Sequence, residues 1–207
     1  MNLGPRSLIL VRHGESTANA AGAFTGRLDV PLTERGREQA RAVGRRLSER
    51  ELAPDRVFCS SLSRTRATAE LILEVLEQRS LEPEGLDTLD ERDYGVLTGL
   101  DMPAAVARWG ADRVETWRRS YADGPPQGES LRDTLARITP CLLRQLLPAA
   151  LRGTALVVAH GNALRAVVMA MEGLGPDAVE RLEIPTGSIR IYTLAADATI
   201  EAVEFLP

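Results

Sequence analysis

Two short apolar runs limit the fold of this chain most strongly: Ser7-Leu8-Ile9-Leu10-Val11 near the start and Thr154-Ala155-Leu156-Val157-Val158-Ala159 near the end. The first is a compact β-type run and the second a continuous apolar strand. Between them the spacing becomes helical. Thr33 to Arg50 places Ala40, Val43 and Leu47 on one face behind Thr33 as N-cap, and Leu62 to Glu77 carries Ala69, Ile72, Leu73 and Leu76 as an apolar stripe. Arg56 to Cys59 is a further short strand between these helices. Met102 to Trp109 and Ala111 to Tyr121 read as helices, and Asp123-Gly124-Pro125-Pro126-Gln127-Gly128 is the strongest breaker. Ser130 then opens a long helix to about Leu151, with Asp133 as its capping-box partner. A helix over Asn162 to Met171 and strands near Ile189 to Leu194 and Ile200 to Phe205 close the chain. Strands alternating with helices imply an α/β fold with a mostly parallel central sheet flanked by helices on both faces, and we expect one domain over residues 1–207. Ligands of such sheets bind at the carboxyl ends of the strands.

Composition removes several classes of function. With 207 residues, 44% of them hydrophobic, the chain can bury one large core. No apolar run approaches the roughly 20 residues that span a bilayer. The polar opening from Met1 to Arg6 lacks the pattern of a secretory signal, so the expected location is cytoplasmic with no membrane partner. A net charge of −4 argues against a nucleic-acid partner. Cys59 and Cys141 are far apart and read as reduced thiols rather than a disulfide framework, and nothing resembles a zinc motif. All 25 basic residues are arginines. Any anion site must therefore use guanidinium forks, which suit bidentate phosphate or carboxylate binding.

The only two histidines both follow the apolar strands, each with a glycine and then a polar residue: His13-Gly14-Glu15 and His160-Gly161-Asn162. A single strand-end histidine is commonly a structural hydrogen-bonding residue. Two matching His-Gly turns in a chain without other histidines point to a shared function. Glycine there permits backbone N–H groups to approach an anion. The fitting chemistry is phosphoryl transfer through nitrogen, since a neutral imidazole is a competent nucleophile and the rest is positioning and preorganised positive charge. Arg12 adjoins the first histidine, and Arg64 or Arg66 could supply a further fork. A proton donor is also needed. Asp90, Glu91 and Asp93 all qualify, and spacing does not choose among them.

The run Leu10-Val11-Arg12-His13-Gly14-Glu15-Ser16, paired with a later strand-end His-Gly, resembles the signature of the histidine phosphatase superfamily. Three further blocks resemble its 2,3-bisphosphoglycerate-dependent phosphoglycerate mutases in particular: Asp90 to Leu100, Trp117-Arg118-Arg119-Ser120-Tyr121, and Ala159 to Arg165. Glu129-Ser130-Leu131 and Ile184-Pro185-Thr186-Gly187 also fit, so the likeness runs from about Leu8 to Tyr192. It implies a phosphoglycerate mutase-like three-layer sandwich and conversion of 3-phosphoglycerate to 2-phosphoglycerate. By the same resemblance His13 is the phosphorylated nucleophile, and Arg12, Arg64 and His160 line the phosphoryl pocket, with Asn19 and the Gly161 backbone assisting. Glu91 is the general acid/base. Thr25 and Gly26 contact substrate, and Tyr94, Arg118, Arg119 and Asn162 hold its carboxylate or second phosphate. 2,3-Bisphosphoglycerate serves as primer and intermediate, no metal is required, and relatives form homodimers or homotetramers. The alternative within the superfamily is a phosphohydrolase of small phosphorylated metabolites.

The sequence departs from the family at several points. The family has a lysine soon after Leu100 that contacts substrate, where this chain has Met102; the nearest later basic residue is Arg108. Weaker substrate binding is expected. Arg27 stands where an aromatic residue is usual. An insertion between Pro126 and Glu129 is missing, and the chain ends at Pro207 without the tail that closes over the site in longer members, which implies more phosphatase leakage.

Overall fold

A computed structural model describes residues 6–207 of the chain; the opening segment that precedes them lies outside the described residues. In chain order the elements are β1 (Ser7–Arg12), α1 (Thr17–Ala20), α2 (Glu34–Ser48), β2 (Arg56–Cys59), α3 (Ser63–Val75), β3 (Glu84–Gly85), α4 (Met102–Trp109), α5 (Ala111–Arg119), α6 (Leu131–Cys141), α7 (Leu147–Ala150), β4 (Thr154–Ala159), α8 (Gly161–Glu172), α9 (Pro176–Arg181), β5 (Ile189–Leu194) and β6 (Ile200–Leu206). The strands form one sheet in the order β3-β2-β4-β1-β5-β6. β1, β2, β3 and β4 run parallel, while β5 and β6 add two antiparallel strands at one edge.

Alternation along the strands divides the core between two faces. Leu8, Leu10, Phe58, Ala155, Val157 and Tyr192 point toward α6 and α8. Ile9, Val11, Val57, Leu156, Val158 and Ile191 point toward α2 and α3. The β1 residues Leu8 to Val11 are at most 2% exposed, so each apolar side chain contributes about 1.5–3 kcal/mol by burial. A third cluster (Phe24, Leu97, Ala105 and Val114) ties α4 and α5 over the carboxyl ends of the strands. No helix among the described residues is long and apolar enough to cross a membrane.

Local chemistry explains most boundaries. Thr33 caps α2 by accepting from the Gly36 N–H, and Ser130 and Asp133 form the expected capping box at the start of α6. The long helix expected from Ser130 to Leu151 is not uniform. Leu142–Leu146 takes a π-helical turn between α6 and α7. Pro140 inside α6 and Pro148 at the start of α7 lack the N–H groups that a regular ladder needs, which accounts for the irregular stretch. Both cysteines are buried and free, and burial raises the Cys59 thiol to about 11.

The two glycines after the histidines turn out to serve different ends. A Cβ on Gly14 would overlap the Gly36 carbonyl, and its backbone N–H donates to the Thr68 hydroxyl at 3.2 Å. Gly14 therefore lets the first turn of α2 close onto β1, and its own N–H is taken by Thr68. The atoms nearest to a Cβ on Gly161 would be those of the Arg12 guanidinium, at ordinary contact distance.

Candidate active site

Strand pairing brings the histidines together. β1 and β4 are in register from Ser7↔Thr154 to Arg12↔Ala159, and the His13 N–H donates to the Ala159 carbonyl at 3.0 Å. The two imidazoles then meet edge to face with centroids 4.9 Å apart. Both are buried.

His13 Nδ1 lies 2.6 Å from the Gly14 carbonyl. A carbonyl can only accept, so Nδ1 carries the proton and Nε2 keeps its lone pair. Burial, then the Arg12 and Arg64 guanidinium groups, hold the His13 proton affinity well below the ordinary imidazole value, against the opposing pull of the Gly14 carbonyl. The ring is thus neutral near pH 7. His160 is likewise held well below that value, by burial first and then by His13, Arg64, Arg12 and Arg137. Its Nε2 shares a hydrogen bond with the Ser60 hydroxyl at 2.8 Å, while its Nδ1 has no partner among the described residues.

Two arginines converge on this pair. Arg64 is 1% exposed, and its terminal nitrogens donate to the Leu28 and Gly26 carbonyls at 2.7 and 3.0 Å. Arg12 Nη1 donates to the Ile184 carbonyl at 2.7 Å. The Nε groups of both are buried without a partner among the described residues. Buried donors of this kind fit an anion, because leaving them unpaired costs about 1–3 kcal/mol each. Arg66, the other candidate fork, is on the exposed side of α3 and does not line the cleft.

Hydrogen bonding separates the three carboxylates. Asp90 accepts from the Ser61 N–H and hydroxyl, and Asp93 accepts from the Gly95 N–H. Glu91 alone of the three faces the cleft, where it accepts from the Arg92 N–H at 2.6 Å and the Asn162 N–H at 3.2 Å. The latter bond seats it on the N-terminal turn of α8, a favourable place for a carboxylate.

The cleft has two adjoining parts. The larger, about 220 Å³, is lined by Arg12, His13, Asn19, Thr25, Gly26 and Arg64, with Phe24 and Met102 on its wall. The smaller, about 130 Å³, is lined by Arg119, Gly161, Asn162, Arg165, Glu183 and Ile184. Arg12, Glu91, Tyr94 and Arg118 border both. Every site residue expected from the sequence therefore lines one part or the other, except His160, which packs behind His13. Asn19 accepts from the Ser16 N–H and hydroxyl through its carboxamide oxygen. Asn162 donates to the Tyr94 hydroxyl at 3.0 Å and accepts from Arg165 at 2.9 Å.

The chain matches the family model described as the histidine phosphatase superfamily, branch 1, over residues 8–203. It belongs to that superfamily. The chain is 49% identical over 202 residues to a 2,3-bisphosphoglycerate-dependent phosphoglycerate mutase from Methylobacterium sp. (strain 4-46), covering 97% of each. It is 47% identical to the mutase of the same name from Mesorhizobium japonicum, covering 97% of this chain and 98% of the relative. Among solved structures it is similar to a protein described as mycobacterial hydrolase 1, with a TM-score of 0.81 at 26% identity over 97% and 96% of the two chains. It is also similar to a Shigella flexneri α-ribazole phosphatase, with a TM-score of 0.78 at 25% identity over 91% of each.

Within this superfamily fold, four residues were missed by sequence reasoning. Arg165 is buried, lines the smaller subsite and is held by the Val179 carbonyl. Burial, then Arg92 and Arg119, lower it to about 10. Its position three residues after Asn162 on α8 was a usable signal. Arg92 is fully buried, stacks over Tyr94 at 4.6 Å and donates to the Arg118 carbonyl at 3.0 Å. Ser60 and Glu183 carried no sequence signal, since their contacts with His160 and Arg119 span 100 and 64 residues. Arg108 stacks on Trp109 and does not line the cleft, so it does not replace the charge absent at Met102.

Proposed function

We propose that this protein is a 2,3-bisphosphoglycerate-dependent phosphoglycerate mutase that interconverts 3-phosphoglycerate and 2-phosphoglycerate. The observation that carries this reading is the pair of adjoining anion subsites sharing Arg12, Glu91, Tyr94 and Arg118. A monoester hydrolase requires only the subsite at His13. A mutase must hold an acid and a phosphate together, and then exchange which phosphate faces the nucleophile. The near-half identity to full-length mutases supports the same reading.

His13 Nε2 is the nucleophile, neutral and oriented by the Gly14 carbonyl. Arg12 and Arg64 balance the charge on the transferring phosphoryl oxygens, in the place a metal would take in other phosphoryl-transfer enzymes. His160, fixed by Ser60, packs behind the nucleophile and buttresses the His13 ring. Glu91 exchanges the proton with the substrate hydroxyl from its seat on α8. Asn19, Thr25 and Gly26 border the phosphoryl subsite, while Tyr94, Arg118, Arg119, Gly161 and Asn162 border the second. 2,3-Bisphosphoglycerate supplies the phosphoryl group that primes the enzyme, and the orphaned Nε groups of Arg12 and Arg64 fit such an anion.

A second reading, a phosphohydrolase of the same superfamily, is favoured by one observation: Met102 gives the phosphoryl subsite an apolar wall. Labelling separates the two. Radiolabelled 2,3-bisphosphoglycerate should give an acid-labile phosphoenzyme that is discharged by 3-phosphoglycerate faster than by water, and His13→Ala should not label. Discharge to water alone would favour the hydrolase, and labelling of His13→Ala would remove His13 from its role.

A further inference from the structure

Arg119 is not free to receive a ligand. Its guanidinium makes a close ion pair with the Glu183 carboxylate, and its Nε lies 3.5 Å from a Glu115 oxygen. Glu183 belongs to the segment between α9 and β5, whose next residue, Ile184, is tied to Arg12 by the 2.7 Å bond to its carbonyl. The backbone at Glu183 is thus anchored to the floor of the cleft. Its side chain is 66% exposed, so packing does not fix the carboxylate on Arg119. Glu183 also lines the smaller subsite, and its charge favours the protonated form of Arg12. A carboxylate supplied by the chain itself thus stands among the guanidinium groups that would bind the acidic end of a substrate. Arg118 differs, with only a 3.4 Å contact to Glu115, and remains available to both subsites.

We infer that Glu183 is an internal counter-ion that tunes affinity at the second subsite, one that the acidic end of the substrate must displace from Arg119. The inference rests on the mutase reading. A ligand whose second end is a carboxylate or phosphate replaces one charge-assisted pair with another of the same kind. A phosphate monoester with a neutral second end offers no such exchange and leaves the Arg119–Glu183 pair intact. Glu183 thereby weakens binding of ligands whose acidic end must displace it, and leaves ligands held only in the His13 subsite largely unaffected.

The test is equilibrium binding of 3-phosphoglycerate and of inorganic phosphate to the wild-type protein and to Glu183→Gln. The substitution is exposed and isosteric, so the fold tolerates it. Glu183→Gln should bind 3-phosphoglycerate about two- to fivefold more tightly, the range that an exposed ion pair commands. The gain should fade as salt is added. Inorganic phosphate, which needs only the His13 subsite, should change by less than about twofold. Weaker or unchanged binding of 3-phosphoglycerate by Glu183→Gln would overturn the inference, provided the wild type still prefers it to phosphate. Glu183 would then be positioning Arg119 rather than opposing its ligand. A wild type with no preference for 3-phosphoglycerate over phosphate would remove the second anion subsite, and with it both the mutase reading and this inference.

Discussion

At the scale of single residues, the turn from Asp90 to Asp93 shows how hydrogen bonding sorts chemically equal groups. Asp90 is satisfied by Ser61, Asp93 by the Gly95 N–H, and Glu91 reaches the cleft. Glu91→Gln keeps the shape and the bond from the Asn162 N–H but removes the exchangeable proton. Turnover should fall by about 10²–10⁴-fold in steady-state kinetics; an unchanged rate would place the acid/base elsewhere. Spacing alone left the three carboxylates open, because the choice is made by partners such as Ser61 and Asn162 that are distant in sequence. The resemblance to mutases pointed to Glu91, and the cleft geometry is consistent with it. Arg12 and His13 stood out at a recognisable strand end, whereas position left Arg64 and Arg66 open and only the resemblance singled out Arg64. Glu183 was not, since its importance lies only in what it faces.

At the scale of elements, α2 depends on glycine contacts rather than on apolar packing alone. Gly36 in its first turn lies against the Glu15 backbone, where an added Cβ would overlap the Glu15 carbonyl, and Gly14 faces the Gly36 carbonyl in return. Neither neighbour is a flexible side chain that could yield. Gly36→Ala should push α2 away from the His13 turn, lowering the thermal midpoint and kcat together. A variant of wild-type stability and rate would show that this contact does not set the position of His13. The apolar period of α2 was plain in the sequence, and its N-cap Thr33 was correctly legible. The break in the helix after Ser130 was not anticipated, although Pro140 and Pro148 were visible; the apolar period continues across both and masks them. The order and direction of the strands were only partly legible, because β5 and β6 join the sheet antiparallel through contacts that alternation does not encode.

At the scale of the whole molecule, folding buries two neutral imidazoles side by side, and this links stability to pH. The folded-state proton affinities of His13 and His160 lie well below the ordinary value of 6.5. The unfolded chain therefore binds protons that the native state refuses, so the stability is fully present above that value and is lost as pH falls below it. Each histidine adds up to about 1.4 kcal/mol of loss per pH unit. Denaturant midpoints should fall between about pH 7 and about pH 5.5, above the range where carboxylates titrate; a midpoint that held constant or rose would contradict burial of the neutral pair. The same pair, flanked by arginines and joined to a second anion subsite, is the basis for reading the molecule as a mutase. The most direct measurement of that claim follows 2-phosphoglycerate and free phosphate together, from 3-phosphoglycerate with and without catalytic 2,3-bisphosphoglycerate. The account predicts fast isomerisation, stimulated by the bisphosphate, with little phosphate released. Phosphate release without isomerisation would contradict it and identify a hydrolase built on the same two histidines.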